Sequence, residues 1–490
     1  MNRLLGIIIL CCVAATLTGC GLSPSYVRPD TGLPGGYALA SEAGENDVAL
    51  GAYTADTREW WLSFDSKALP ELQKAALAGN HNFAAQRWAL AQTIHQARAG
   101  RGKLLPSIDV SASGSRRGSA GDKGYSVSDS VSGTVQASYE LDIWGKNLES
   151  ASAGEYKALA GMYAWRGVGL SLESEVALTY FSYLAARENL DVYDSMLSNA
   201  RDVLAYQEKR ERLGAAAPLD VTRQRQAVEN MEAERIGYLM NRTEAWNNLA
   251  QLLGVTEMPG YLADLMEGEK LLDIMPPPVD AGLPSELLHR RPDIAQAEAN
   301  LLAANANIGV ARASFLPSIT LTASAGWSSD ALHTLISPAS ALYSLASSLL
   351  APIFNNGQLI AQYDQALAAK EELLERYRDA AITGFWEVST SLSSNALLEE
   401  QEQRRIASAK QAGEAYRIAR ARYENGAEDF LSVLDAQSTM LSAENSLVQV
   451  HRERLNGIVS LFKALGGGWS EEGDLEAMRR EFETLPAMTF

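Results

Sequence analysis

Leu104-Leu105-Pro106-Ser107-Ile108-Asp109-Val110-Ser111-Ala112-Ser113 returns 211 residues later as Phe315-Leu316-Pro317-Ser318-Ile319-Thr320-Leu321-Thr322-Ala323-Ser324. The echo runs on. Arg210-x-x-x-Gly214 aligns with Arg422-x-x-x-Gly426 at an offset of 212, as do Leu219-Asp220-Val221 with Leu431-Ser432-Val433 and Leu253-Gly254 with Leu465-Gly466. Self-similarity at a fixed period settles architecture before any single motif does. The 490-residue chain therefore reads as a tandem duplication, two copies of one unit woven together.

The repeated stretch opens a run of strict alternation. Val127, Val131, Val135, Ala137, Tyr139, Leu141 and Ile143 hold odd positions, while Ser128, Ser130, Ser132, Thr134, Gln136, Ser138, Glu140 and Asp142 hold even ones. Only Asp129 and Gly133 break the apolar side. Ile108, Val110 and Ala112 alternate with serines and Asp109 just upstream, and the polar, glycine-rich Arg116–Gly124 stretch between them predicts a turn. The second half repeats the hairpin with Ile319, Leu321, Ala323, Ala325 and Trp327, followed by a less tidy partner over about 341–354. The polar face is small and neutral, and aromatic residues (Tyr139, Trp144, Trp327, Tyr343, Phe354) stand near strand ends. Apolar-out, polar-in strands with terminal aromatics are the signature of an outer-membrane barrel. Four strands cannot close, and an open edge in hydrocarbon leaves backbone groups unpaired at several kcal/mol each. The barrel must be shared among copies of the chain. Two copies leave room only for side chains, whereas three give a twelve-stranded barrel with a lumen, so a homotrimer is expected.

The remaining pattern is helical and long. No proline interrupts the residues between the first hairpin and Gly214, and Leu190, Tyr193, Leu197, Ala200 and Leu204 alternate spacings of three and four. Leu434, Leu441, Val448, Leu455 and Phe462 recur every seven residues, with Ile458 and Leu465 as partner positions. Sustained heptads mean coiled-coil packing.

Arg3, the apolar run Leu4–Val13 and Leu17-Thr18-Gly19-Cys20 read as a lipoprotein signal. The apolar run is shorter than the roughly 20 residues that span a bilayer. Cleavage before Cys20 would leave that residue acylated, with covalent lipid as the only attached group expected, and Gly21 favours sorting to the outer membrane. Cys11 and Cys12 fall in the removed segment, so no disulfide, zinc cluster or catalytic thiol is expected in the mature protein. The five histidines are scattered, with no metal-ligand spacing and no serine-hydrolase motif, so neither a metal site nor an enzyme is expected. A net charge of −18 excludes a nucleic-acid partner.

The chain thus parses into a signal peptide 1–19, a lipid-anchored extension 20–60, a first repeat 61–272, a proline-rich linker 273–284, a second repeat 285–469 and a C-terminal tail 470–490. Each repeat runs helix, β-hairpin, long helix, turn, helix. The hairpins span about 104–143 and 315–354, and the turns 214–218 and 425–429.

Several motifs together resemble one family across nearly the whole mature chain. They are the lipobox, Trp60-Trp61-x-x-Phe64, Leu287-Leu288-x-Arg290-Arg291-Pro292-Asp293-Ile294 and Ala311-x-Ala313-x-Phe315-Leu316-Pro317. To these are added Pro352-Ile353-Phe354-Asn355-Asn356-Gly357, Arg422-Tyr423-x-x-Gly426, Leu434-Asp435-Ala436-Gln437 and Leu465-Gly466-Gly467-Gly468-Trp469. The chain resembles an outer membrane factor of the TolC-like superfamily, in the NodT/OprM-like lipoprotein branch of tripartite efflux systems. The resemblance implies a trimer with a 12-stranded β-barrel in the outer membrane and a 12-helix α-barrel reaching across the periplasm. It further implies export of drugs or other toxic solutes handed over by a periplasmic adaptor and an inner-membrane pump of the RND type, without catalysis.

The resemblance also supplies candidate gate residues. Arg422 and Tyr423 match residues that hold the helix pair shut, Leu431 an apolar constriction and Asp435 an acidic ring. Gly214 and Gly426 mark the hairpin tips expected to touch the adaptor. Arg422 precedes the turn and Asp435 follows it, so their side chains are expected to meet. Three Asp435 carboxylates around one axis would draw cations into a narrow pore. The first repeat departs from this pattern: Glu211 stands at the Tyr423 position and Arg223 at the Asp435 position. A type I secretion conduit and a non-conducting trimeric lipoprotein spacer are the competing readings; the lipobox weighs against the first and the alternating hairpins against the second.

Overall fold

The computed structural model describes residues 22–37, 59–121, 124–279 and 287–467; the signal segment, Cys20 and the 470–490 tail lie outside them. Two short helices, α1 (Ala68–Gly79) and α2 (His81–Gly102), lead into strands β1 (Ser107–Gly121) and β2 (Gly124–Leu141). The long α3 (Lys146–Arg212) and α4 (Pro218–Leu252) follow, then the short α5 (Gly260–Glu267) and α6 (Leu287–Arg290). The second half gives α7 (Pro292–Ala313), β3 (Ser318–Ser329), β4 (Ala341–Leu350), α8 (Gln358–Glu424) and α9 (Phe430–Ala464). The duplication shows in lengths: α3 and α8 have 67 residues each, α4 and α9 35 each. At 1.5 Å per residue the longer pair extends about 100 Å.

Two compact units emerge. Among the described residues the first gathers 22–30, 89–121, 124–162 and 296–378, and the second 31–37, 59–88, 163–279, 287–295 and 379–467.

The first unit holds an antiparallel sheet in the order β1-β2-β3-β4. Its register explains why the alternation runs so cleanly. Val110 faces Val135, which faces Ala325, which faces Tyr343; Ile108 faces Ala137, then Ala323 and Leu345. These apolar sets fall on one face, because strand side chains alternate with period two, while Leu342 and Leu350 of β4 fall on the other. The opposite face carries a hydroxyl ladder: Ser111 to Thr134 at 2.8 Å, Ser113 to Ser132 at 2.8 Å and Ser119 to Ser126 at 3.0 Å. Ile108, Val110, Tyr343 and Leu345 are each at least 71 % exposed, the mark of a face made for an apolar medium. The outer edges of β1 and β4 have no strand partner among the described residues.

Two strand limits differ from the sequence reading. β1 continues through Arg116 to Gly121, so the residues read as a wide turn are strand. Arg116 faces Asp129 across the ladder with an ion pair at 3.4 Å, which balances the two charges that break the apolar side. The Gly118 backbone lies under the Tyr125 ring, where an added Cβ would come within 2.0 Å of the phenol oxygen. β4 stops at Leu350, two residues before Pro352, which has no N–H to give a ladder.

The hairpin bases are tied together: Trp144 Nε1 donates to the Pro317 carbonyl at 2.8 Å. Asp142 starts α3 by accepting the amides of Asn147 and Leu148 at 3.0 and 2.8 Å. Residues 22–28 run along α7. Arg28 Nε and Nη2 donate to the Glu298 carboxylate at 2.8 and 2.7 Å, and Ser23 donates to Glu149 at 2.7 Å.

The second unit packs around aromatic residues. Trp60 stacks on Phe462 at 5.4 Å and Phe64 meets Phe181 at 5.4 Å, all four nearly or fully buried. Of the heptad positions, Leu441, Val448, Leu455 and Phe462 are buried, and Leu434 is partly buried against the Tyr416–Phe430–Val433 cluster. Glu269 caps α1 from a distance, accepting the Ala68 amide at 3.0 Å and the Tyr180 hydroxyl at 2.6 Å. Among the described residues no helix is long and apolar enough to cross a membrane.

Candidate functional site

The candidate site lies at the α3–α4 and α8–α9 turns. Both close with the same backbone device. Gly214 sits at φ +70°, its amide bonding the Glu211 carbonyl at 2.9 Å while Ala215 bonds the Arg210 carbonyl at 2.8 Å. Gly426 sits at φ +71°, its amide bonding Tyr423 at 2.9 Å while Ala427 bonds Arg422 at 2.9 Å. This pair of bonds is a Schellman closure, and the left-handed backbone it needs is one glycine adopts without a Cβ penalty.

The side chains then diverge. In the second turn Arg422 Nε reaches Glu428 Oε2 at 3.2 Å, and Ser432 Oγ donates to the other Glu428 oxygen at 3.2 Å. Asp429 caps α9 by accepting the Ser432 amide at 2.9 Å. That amide, then the Ser432 hydroxyl, hold the Asp429 carboxyl below its ordinary value, with the Arg223 guanidinium contributing. In the first turn Pro218 opens α4, and Ala217 offers no side-chain cap.

The two turns are joined through Tyr423. Its hydroxyl oxygen accepts Gln207 Nε2 at 2.6 Å and Arg210 Nη1 at 2.9 Å, both from α3. The Tyr423 ring lies 5.3 Å from Phe430 and packs on the buried cluster of Tyr416, Phe430 and Val433. Arg210 is the hub. Its guanidinium lies over the Tyr423 ring at 5.5 Å and the Tyr206 ring at 5.7 Å, and its other nitrogen bonds the Ala215 carbonyl at 3.0 Å.

Arg422 and Asp435 do not meet within the chain, contrary to expectation. Glu428, inside the turn, lies nearer and takes the guanidinium. Asp435 is exposed on α9, and Leu431 is 52 % exposed one turn earlier. Both therefore remain available to a neighbouring surface. Gly214 and Gly426 occupy the tips themselves, and Cys20 lies outside the described residues. Gln207 and Glu428 escaped the sequence reading, and Arg210 entered it only as the repeat counterpart of Arg422, an alignment that could have marked it as a site residue.

A family model described as outer membrane efflux protein matches residues 72–255 and 283–467. The chain is 36 % identical over 474 residues to the pyoverdine export outer membrane protein OpmQ of Pseudomonas aeruginosa, covering 93 % of this chain and 95 % of that one. It is 32 % identical to the outer membrane protein OprJ of the same species, covering 95 % and 97 %. Among solved structures, the Campylobacter jejuni CmeC outer membrane channel superposes with a TM-score of 0.84 at 25 % identity, covering 96 % and 99 % of the two chains. The open state of the Neisseria gonorrhoeae MtrE outer membrane channel gives 0.83 at 29 % identity, covering 92 % and 98 %.

Proposed function

Because this chain belongs to the outer membrane efflux protein family, we propose that three copies assemble into one conduit gated by the α3–α4 and α8–α9 turns. The protein is the outer-membrane channel component of an efflux pump, and family members are channels rather than enzymes. The observation that carries the trimer is the sheet: one face largely apolar, one face lined with hydroxyls, and both edges without a strand partner among the described residues. Backbone groups on an open edge cannot remain unpaired in lipid, so β1 of one copy pairs with β4 of the next. Three copies of a four-stranded sheet close a barrel of twelve strands.

In this reading Tyr423 is the latch that keeps the α8–α9 pair against α3, held by Gln207 and Arg210. Leu431 and Asp435 face the axis in the trimer, as an apolar constriction and a carboxylate ring. Gly214 and Gly426 present the tips to a periplasmic adaptor, whose docking draws the latch open, and an inner-membrane pump of the RND type supplies the energy. Cys20 carries the lipid that anchors the mature N-terminus to the outer membrane. The relatives bear names for pyoverdine and toluene export, and the small hydroxyl-rich barrel lining suits a permissive passage for drugs and other small toxic solutes.

The test joins assembly to conduction. The purified protein is expected to run as a heat-modifiable trimer and to conduct cations in planar bilayers. Its deletion is expected to sensitise the cell across a panel of toxic solutes. A stable monomer without conductance would sink the assembly.

A further inference from the structure

We infer that a polar groove between α3, α4 and α9 is a binding site for a small zwitterionic solute, distinct from the gate. Two adjoining cavities of about 400 and 440 Å³ share Asn189, Tyr238 and Arg452 in their walls. Cavities of this size accept a small molecule.

Three buried polar atoms of its lining residues have no hydrogen-bond partner among the described residues. Asn189 is 8 % exposed; its amide nitrogen bonds the Ala185 carbonyl at 2.9 Å, which fixes the orientation and leaves the buried Oδ1 unpaired. Asn445, whose nitrogen meets the Tyr193 hydroxyl at 3.2 Å, also buries an unpaired Oδ1. Arg452 Nε is buried without a partner, and Arg452 makes no ion pair among the described residues. Buried polar groups are almost always hydrogen-bonded, so three orphans around one cavity call for an occupant that carries both donors and acceptors.

Charge narrows the choice. Arg452 is a cation without a carboxylate, while Glu234 lines one cavity and Glu244 the other, neither with a cation among the described residues. A ligand bearing a carboxylate for Arg452 and an ammonium for the asparagine oxygens and the glutamate rim satisfies all of them. A simple anion would face the glutamates, and a simple cation would face Arg452. The Tyr193 and Tyr238 rings, 5.2 Å apart, add an apolar wall suited to an aromatic or aliphatic body.

Three probes of nearly one shape separate the charges: L-phenylalanine, 3-phenylpropionate and phenethylamine. Saturation-transfer NMR on the purified full-length channel is expected to show saturable binding for L-phenylalanine alone. Arg452→Gln and Asn189→Leu are each expected to weaken it about tenfold, the loss typical of one charge-assisted contact. Arg452→Lys should retain part of the affinity. Unchanged heat-modifiable trimer and conductance in these variants separates this site from the conduit itself. Binding by none of the probes, binding as strong to the anion, or binding unaltered in both variants would overturn the assignment, the first leaving the groove to ordered water.

Discussion

The α3–α4 turn and the α8–α9 turn share a backbone and differ in where they send their arginine. Each closes with the same two hydrogen bonds around a left-handed glycine, Gly214 or Gly426. Arg422 stays at home on Glu428, whereas its counterpart Arg210 reaches the second repeat through Tyr423. The α8–α9 turn caps its own following helix through Asp429; the α3–α4 turn has only Ala217 in that place. Duplication thus left the scaffold intact and divided the labour: one turn keeps itself, and the other keeps its twin. Glu211 in place of tyrosine is the residue-level trace of that division.

The sharpest way to break the comparison is Arg210→Ala against Arg422→Ala. Arg210 makes two hydrogen bonds and sits over two rings, so its loss should weaken the proposed Tyr423 latch by about 1.5–3 kcal/mol, the range for hydrogen bonds to a charged group. That is roughly a 10- to 100-fold rise in the open fraction, read as single-channel conductance and influx of a large antibiotic. Tyr423→Phe comes next. It removes the shared acceptor and leaves the buried Gln207 amide unpaired, at a cost of about 1–3 kcal/mol, and it should be non-additive with Arg210→Ala in a double-mutant cycle.

Gly214→Ala and Gly426→Ala sharpen the shared half of the comparison. No atom lies within 4 Å of either added Cβ, so only backbone strain is introduced, about 1 kcal/mol in both. Equal losses of thermal stability are expected, and a marked inequality would show that the turns differ in backbone after all. Arg422→Ala should cost at most about 1 kcal/mol, since its side chain is 59 % exposed and surface ion pairs are weak.

The smallest effect is in the cap. The Asp429 carboxyl is held below its ordinary value by the Ser432 amide, so its folded form binds a proton less readily than its unfolded form. Its stabilising contribution is full above the unfolded value and is lost as the pH falls through the folded one. Wild type and Asp429→Asn should therefore converge in melting temperature as the solution is made strongly acidic, and Ala217→Asp should graft the same acid-sensitive gain onto the first turn.

The membrane sheet was legible because period two leaves no ambiguity: Val135, Ala325 and Tyr343 had to share a face, and the register places them on one. The heptad from Leu441 to Phe462 was legible for the same reason, since a repeated spacing fixes a buried stripe. Residues Arg116–Gly121 read as a turn because glycine is a poor strand former in isolation and the stretch is polar. Pairing with residues 124–129 overrides that preference, as cross-strand contacts commonly do. The candidate gate was half legible. Local motifs mark Tyr423, but its partners lie more than 200 residues earlier on α3, and helix rotation decides which of Gln207, Arg210 or Glu211 faces it. The Arg422–Asp435 pairing failed because spacing from a turn sets height along a helix and says nothing about azimuth.

The matched lengths of the four great helices, 67 and 35 residues in each half, constrain how such a protein can evolve. Stretching one arm alone would leave its tip out of step with its counterpart and throw the Tyr423 contact out of alignment. A lineage that must bridge a wider compartment has to add the same whole number of heptads to all of them together, so insertions here should arrive as coordinated sets of seven or not survive.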